Sequence, residues 1–249
     1  MDISQDKNKQ PFSLSVVVPA LNEEENISSA VLLIKDALES SARINAFEII
    51  IVNDGSADKT GEIALHLSKE YDNILYLENE NNRGIGYCYR KAFSHARYDY
   101  FTWLAADGSY IKEELLKYFE AFRLDRIPVS YSYTEKAIKS RTFLRRMISL
   151  AHRRLIWLLF GIRGINYING MALYERKFLQ GITIRANGFS LMAELVLRAW
   201  KKGYLFQNVA MDSVERTKGK SKIFKFYNIM DSLRTISILL YEFYIRGLK

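Results

Sequence analysis

Carboxylates, amides and small residues follow apolar runs in this chain at the places where a phosphate- or sugar-bearing ligand would be held. VVVPALNEEENI sets Asn22 and Glu23 just behind an apolar run that ends in Pro19 and Ala20, and VNDGSADKT sets Asp54 behind a second run. Such acceptors suit ribose hydroxyls and base N–H groups, where a charge-assisted hydrogen bond is worth about 1.5–3 kcal/mol. Either motif alone reads equally well as structure, because Asn22 or Asp54 could cap a helix and Gly55 could serve a turn. Other phosphate motifs fail on spacing. Gly84 and Gly86 begin G-x-G, but Tyr89 stands where the third glycine of a dinucleotide fingerprint belongs, and Val214 stands where a P-loop ending at Gly219-Lys220-Ser221 needs its first glycine. Cys88 is the single cysteine, and His66, His95 and His152 are scattered, so neither a disulfide framework nor a Cys/His zinc site can be assembled.

The elements that must position these residues follow from periodicity. Residues 14–18 form an apolar run that reads as a buried strand, and Ile27, Ala30, Val31, Ile34 and Leu38 then recur at helical spacing. The unit repeats with a strand at 47–52, a turn-rich loop and a helix to about Tyr71, and a third strand at 74–77. Residues 84–95 read as a helix and 100–104 as an aromatic-rich strand running into AADGS. This alternation predicts a mainly parallel, doubly wound α/β sheet, whose ligands bind beyond the carboxyl ends of the strands. Beyond Arg126 we expect a strand at 127–133, a basic amphipathic helix at about 142–160, a short strand near 171–174 and a helix at 191–202. The expected organisation is a disordered leader over 1–12, one domain over 13–222 and an amphipathic C-terminal helix over 223–249.

Charge is divided unevenly. Residues 1–127 carry 14 Lys and Arg against 21 Asp and Glu, a net −7, and residues 128–249 carry 22 against 7, a net +15. A basic half suits phosphate groups or an anionic membrane surface, whereas the acidic half and the lack of any recognised motif speak against nucleic acid. The polar first ten residues lack the apolar core of a secretory signal, and no run reaches the 18 or so apolar residues of a spanning helix. We therefore expect a cytoplasmic protein whose membrane contact is peripheral. In the tail, Ile223, Phe224, Phe226, Tyr227, Ile229, Met230 and Leu233 lie among Lys220, Lys222, Lys225 and Arg234, a pattern for a helix in the lipid interface or for one packed on the core or on a second subunit.

A strand ending in P-A-L-N-E, a second ending in N-D-G-S-x-D-K-T some thirty residues on, and then NRGIGYCYRKAFSHARYDYFTWLAADGS together resemble the nucleotide-binding half of family 2 glycosyltransferases. The resemblance implies the GT-A (nucleotide-diphospho-sugar transferase) fold and a donor site that includes Pro19, Ala20, Asn22, Glu23, Asp54, Gly84 and Asp107. It also implies a D-x-D metal loop. Here that loop reads Ala105-Ala106-Asp107, so the first carboxylate is missing; Asp107 and Ser109 remain as ligands for Mg²⁺ or Mn²⁺, completed by donor phosphates. Farther on, Arg145, Arg146 and Ser149, the segments NYINGMALYERK and FSLMAELVLRAWKKGY, and VERTKGKSK resemble the subgroup that transfers sugars to polyprenyl phosphates, including dolichyl-phosphate mannose synthases. By that resemblance Arg146, Ser149, Arg216 and Ser221 hold the acceptor phosphate, and Glu194 lies near the donor sugar. Met171-Ala172 and Asn166 depart from that subgroup's usual residues.

The reading that results is an inverting transferase, with a GDP- or UDP-sugar as donor, a polyprenyl phosphate as acceptor, and Asp107 and Arg216 as the catalytic pair. Transfer to a hydroxyl of a surface polysaccharide or lipid is an alternative that needs a base the chain does not obviously supply. A non-catalytic partner that binds nucleotide sugar or a membrane enzyme is another, favoured by Ala105. A homo-oligomer or a membrane-protein partner stays open.

Overall fold

A computed structural model of the chain describes residues 10–131, 143–162, 165, 170–212 and 226–247. Its centre is a five-stranded sheet in the order β3-β2-β1-β4-β6. Strand β1 (Phe12–Ala20) pairs in parallel with β2 (Ile44–Asn53) through Val16↔Ile49 and Val17↔Ile50, and with β4 (Tyr100–Trp103) through Val16↔Thr102. Strand β3 (Ile74–Glu78) extends the sheet in parallel, and the two-residue β6 (Tyr174–Glu175) closes the other edge antiparallel to β4. A separate parallel pair is made by β5 (Arg126–Tyr131) and β7 (Leu205–Ala210). The sheet is mainly parallel, as the alternation of elements predicts.

Both faces of the sheet are covered, which is why its strands read as continuous apolar runs. Successive residues point to opposite sides. Val16, Val18, Ile49 and Ile51 meet Val31, Ile34 and Leu38 of α1 (Ile27–Ser40), Leu67 of α2 (Thr60–Glu70) and Tyr118 of α4 (Lys112–Glu120). Val17, Ile50, Val52 and Phe101 meet Tyr89 of α3 (Ile85–His95), Val196 of α7 (Ser190–Lys201), and Leu239 of the C-terminal helix α8 (Phe226–Leu240). On this second side α5 (Phe143–Phe160) adds Ile156 and Phe160, and the short α6 (Arg176–Gln180) adds Phe178.

Two expectations need revision, and of the partners left open for the C-terminal helix the core is the one it meets. Phe12, assigned to the leader, belongs to β1: it is 3% exposed and its ring packs on Tyr100 and Phe122. Helices α4 and α6 and strand β7 were not foreseen; α4 is short, and β7 alternates weakly because its strand is mostly half-buried. The C-terminal helix is docked rather than lying apart. Asp231, Thr235, Ile236 and Leu239 are buried; the Ser190 hydroxyl donates to Asp231 and lies 3.0 Å from Thr235 Oγ1. Its outer face leaves Met230 and Leu233 exposed, and it ends in a π-helical turn, Tyr241–Ile245. No helix among the described residues is long and apolar enough to cross a membrane.

Candidate active site

The loops that leave β1, β2, β3 and β4 gather at the carboxyl ends of the parallel strands. The first two are joined by a run of hydrogen bonds. Asn22 N–H donates to Ser56 Oγ (3.0 Å), Glu23 N–H to Thr60 Oγ1 (2.8 Å) and Glu24 N–H to Asp58 Oδ2 (3.2 Å). In return, Ala57 N–H donates to Asn22 Oδ1 (2.8 Å) and Lys59 N–H to Glu24 Oε2 (3.1 Å). Asn22 takes φ +52°, a left-handed conformation that Asn tolerates better than most residues and that turns both its amide and its backbone toward the second loop. The Asp58 carboxyl sits below its ordinary value: partial burial pushes it up, but donors from the Thr60 hydroxyl, Thr60 N–H and Glu24 N–H outweigh that.

Asp54, 5% exposed, organises the next loop rather than standing open. Its Oδ1 accepts from Asn79 Nδ2 and Arg83 N–H, both at 2.8 Å, and its Oδ2 accepts from Gly84 N–H at 2.8 Å. The Cys88 thiol also faces this carboxylate, so most of its accepting capacity is spent within the protein. Gly84 caps α3 at φ +87°, and a Cβ there would overlap the carbonyl of Asn187; one on Gly86 would overlap that of Ala186. Glycine is required because two backbones touch. Gly86 N–H donates to Asn187 O (2.8 Å), and Arg90 clamps the same segment through Ala186 O (2.7 Å) and Asn187 Oδ1 (2.5 Å). Cys88 beneath the loop is fully buried, and burial followed by the charge of Asp54 raises its thiol far above the ordinary value, so it carries no nucleophile.

The loop after β4 carries Asp107. Its Oδ1 accepts from both Ser109 N–H (3.1 Å) and the Ser109 hydroxyl (2.6 Å), so Ser109 braces the carboxylate. Where the first carboxylate of D-x-D would fall, Ala105 N–H donates to the Tyr110 hydroxyl (3.0 Å), and burial raises that phenol so that it stays neutral. Gly108 abuts Asn26, whose amide donates to Glu23 Oε2 (2.9 Å), which brings the Asp107 loop beside the Asn22–Glu23 loop. Among the described residues no group of three His, Cys, Asp or Glu side chains gathers as a ready-made metal cage. One braced carboxylate fits a hard cation that arrives largely ligated by diphosphate and water.

Glu194 requires correction. It is fully buried, and its carboxylate accepts from Arg185 N–H (3.0 Å), Ala186 N–H (2.7 Å) and Arg198 Nε (2.8 Å). It shapes the segment that seats Gly84 and Gly86 and has no open path to a sugar. Pro19 and Ala20 end β1 opposite Val52 and Asn53, and Ala20 O accepts from Asp54 N–H (2.8 Å), so their part is to hold the loops in register. Arg146 and Ser149 lie on α5, with their side chains outside the described residues; Arg216 and Ser221 lie outside them altogether. Asn26, Asn79, Arg90 and Asn187 escaped notice because nothing local marks an amide or guanidinium whose partner is distant in sequence.

A family model described as glycosyl transferase family 2 matches residues 15–183. A dolichyl-phosphate beta-glucosyltransferase of Trichomonas vaginalis is 33% identical over 175 residues, covering 66% of this chain and 53% of that protein. A dolichol-phosphate mannosyltransferase of Pyrococcus furiosus is 26% identical over 231 residues, covering 90% and 63%. The chain thus spans less than two thirds of the length of these relatives. A crystal structure of glucosyl-3-phosphoglycerate synthase from Mycobacterium tuberculosis, in complex with Mn²⁺, UDP and phosphoglyceric acid, superposes with a TM-score of 0.65 at 16% identity, covering 93% of this chain and 78% of that one. The shared architecture is the GT-A fold. With the family model spanning well over half of its length, the chain belongs to glycosyl transferase family 2.

Proposed function

We propose that the protein transfers a sugar from a nucleotide diphosphate to a polyprenyl phosphate at the cytoplasmic face of a membrane, with inversion at the anomeric carbon. The observation that carries this reading is the gathering of four strand-end loops, that of Asp107 among them, at the carboxyl ends of the parallel strands, in a chain whose relatives include a dolichyl-phosphate glucosyltransferase and a dolichol-phosphate mannosyltransferase. Asn22, Glu23 and Asp54 take the ribose and base, and the Gly84 turn lets backbone approach the diphosphate. In the step itself, an acceptor phosphate oxygen bonds to the anomeric carbon while the bond from that carbon to the donor's β-phosphate oxygen breaks, and the electron pair leaves with the nucleoside diphosphate.

A phosphate acceptor is anionic at neutral pH, so no strong base is needed, and none is found among the residues described around Asp107. The chain's task is to align two anions. Arg146 and Arg216, with Ser149 and Ser221, bind the acceptor; a planar guanidinium matches phosphate with paired donors. Asp107 would hold a Mg²⁺ or Mn²⁺ ion, which when bound offsets charge on the departing diphosphate.

The test is incubation with Mg²⁺ or Mn²⁺, a panel of UDP- and GDP-sugars and a short polyprenyl phosphate, with nucleotide diphosphate release measured with and without the lipid. Lipid-dependent release from one donor is expected. Tight nucleotide-sugar binding without lipid-dependent release overturns the reading in favour of a binding partner or another acceptor, as Ala105 would then signify.

A further inference from the structure

A second concentration of charge lies at the carboxyl end of α7. Arg185, Arg198, Lys201, Lys202 and Arg246 line a cavity of about 240 Å³ together with one carboxylate, Glu242. Like charges around one concavity repel, and an anion in that space relieves the repulsion. The carbonyls ending α7 account for Arg198 and Lys201 alone, since cations suit a helix C-terminus; Arg185 and Arg246 come from other segments.

One of the lining cations is a buried guanidinium. Arg198 is 8% exposed, and its Nε is taken by Glu194. Its Nη2 lies 2.8 Å from Glu242 Oε2, yet neither atom has a hydrogen-bond partner in alignment. Glu242 is also 3.6 Å from Arg185 Nε, so one carboxylate stands against two guanidiniums. That carboxylate offsets only part of the positive charge that faces the cavity, which leaves the space favourable to an anion.

We propose that this pocket binds a phosphate-type anion. Two sources share that chemistry, a soluble phosphate and the headgroup of an anionic lipid. The rim has the make-up of a membrane interface: Tyr244 and Ile245 are 59% and 75% exposed, and the Tyr244 hydroxyl donates to Leu159 O (3.0 Å), bringing them beside Leu158 of α5, which is 74% exposed. Lys201 Nζ lies 5.7 and 5.8 Å from the ring centres of Phe243 and Tyr244, so cation and aromatic rings meet at the mouth.

The test compares the full chain with Lys201→Ala/Arg246→Ala and with Lys69→Ala/Lys117→Ala, which removes equal charge elsewhere. Calorimetric titration with inorganic phosphate is paired with co-sedimentation on phosphatidylcholine vesicles, with and without phosphatidylglycerol. The pocket variant is expected to lose phosphate or anionic-vesicle binding by about tenfold or more while the control keeps it. Vesicle binding that phosphate does not displace identifies the lipid as the source; phosphate binding without vesicle preference identifies the soluble anion. Equal behaviour of the two variants, or no binding of either probe by the unmodified chain, overturns the proposal. Neither readout requires turnover, so the transfer reading is tested separately.

Discussion

Asp107 is the carboxylate on which the donor side depends. Replacing it with Ala is expected to abolish the metal-stimulated part of nucleotide diphosphate release, checked by titrating Mn²⁺ into the variant and the unmodified chain; full retention would remove Asp107 from the donor site. Glu194 acts through its neighbours. Glu194→Ala leaves Arg198 and two backbone N–H groups buried without their acceptor, so we expect a loss of about 3–5 kcal/mol in denaturant unfolding. Glu194→Gln, keeping one acceptor oxygen, should fall between. A direct sugar contact would instead weaken donor binding with little loss of stability, so measuring both separates the two roles.

At the scale of elements, the site is a set of loops whose mutual bonds replace the regularity of the strands. The glycines of α3 show this sharply. Gly86→Ala drives a methyl group into the Ala186 carbonyl, and the expected cost is roughly 1–3 kcal/mol with weakened nucleotide binding, read by thermal shift with and without nucleoside diphosphate. The clasp between the first two loops is sensitive to acid. Asp58 has a folded-state value lowered from 3.8, so its stabilisation is complete above that value and is lost as pH falls through the lowered one. The melting-temperature gap between the unmodified chain and Asp58→Asn should therefore be widest near neutrality and close as pH drops below 3.8. The loop residues 22–24 and 54–58 could be picked out because they directly follow apolar runs. Their pairing could not, since each donor and acceptor lies 34 to 37 positions from its partner.

At the scale of the whole molecule, the C-terminal helix completes one side of the core. Leu239→Ala is expected to cost about 2–5 kcal/mol in urea unfolding, because Leu239 is 1% exposed and packed under the sheet. A helix lying only in lipid would leave stability in solution unchanged. Its apolar residues recur on nearly every face, so periodicity leaves its partner undecided. The contacts of Asp231 and Thr235 with Ser190 and of Glu242 with Arg198 decide it for the core, and leave the outer face and the terminal turn exposed.

By itself the sequence determined the alternation of strands and helices through β4, the mainly parallel sheet and the loops that carry candidate ligand chemistry, because period and turn composition are local properties. Only the tertiary structure decided that Glu194 is a brace, that Asp54 is largely committed to the loop of Gly84, and that five cations from three segments share one pocket. Each of these depends on which distant groups a buried side chain meets, and burial and hydrogen bonding across the fold are settled by packing rather than by neighbours along the chain.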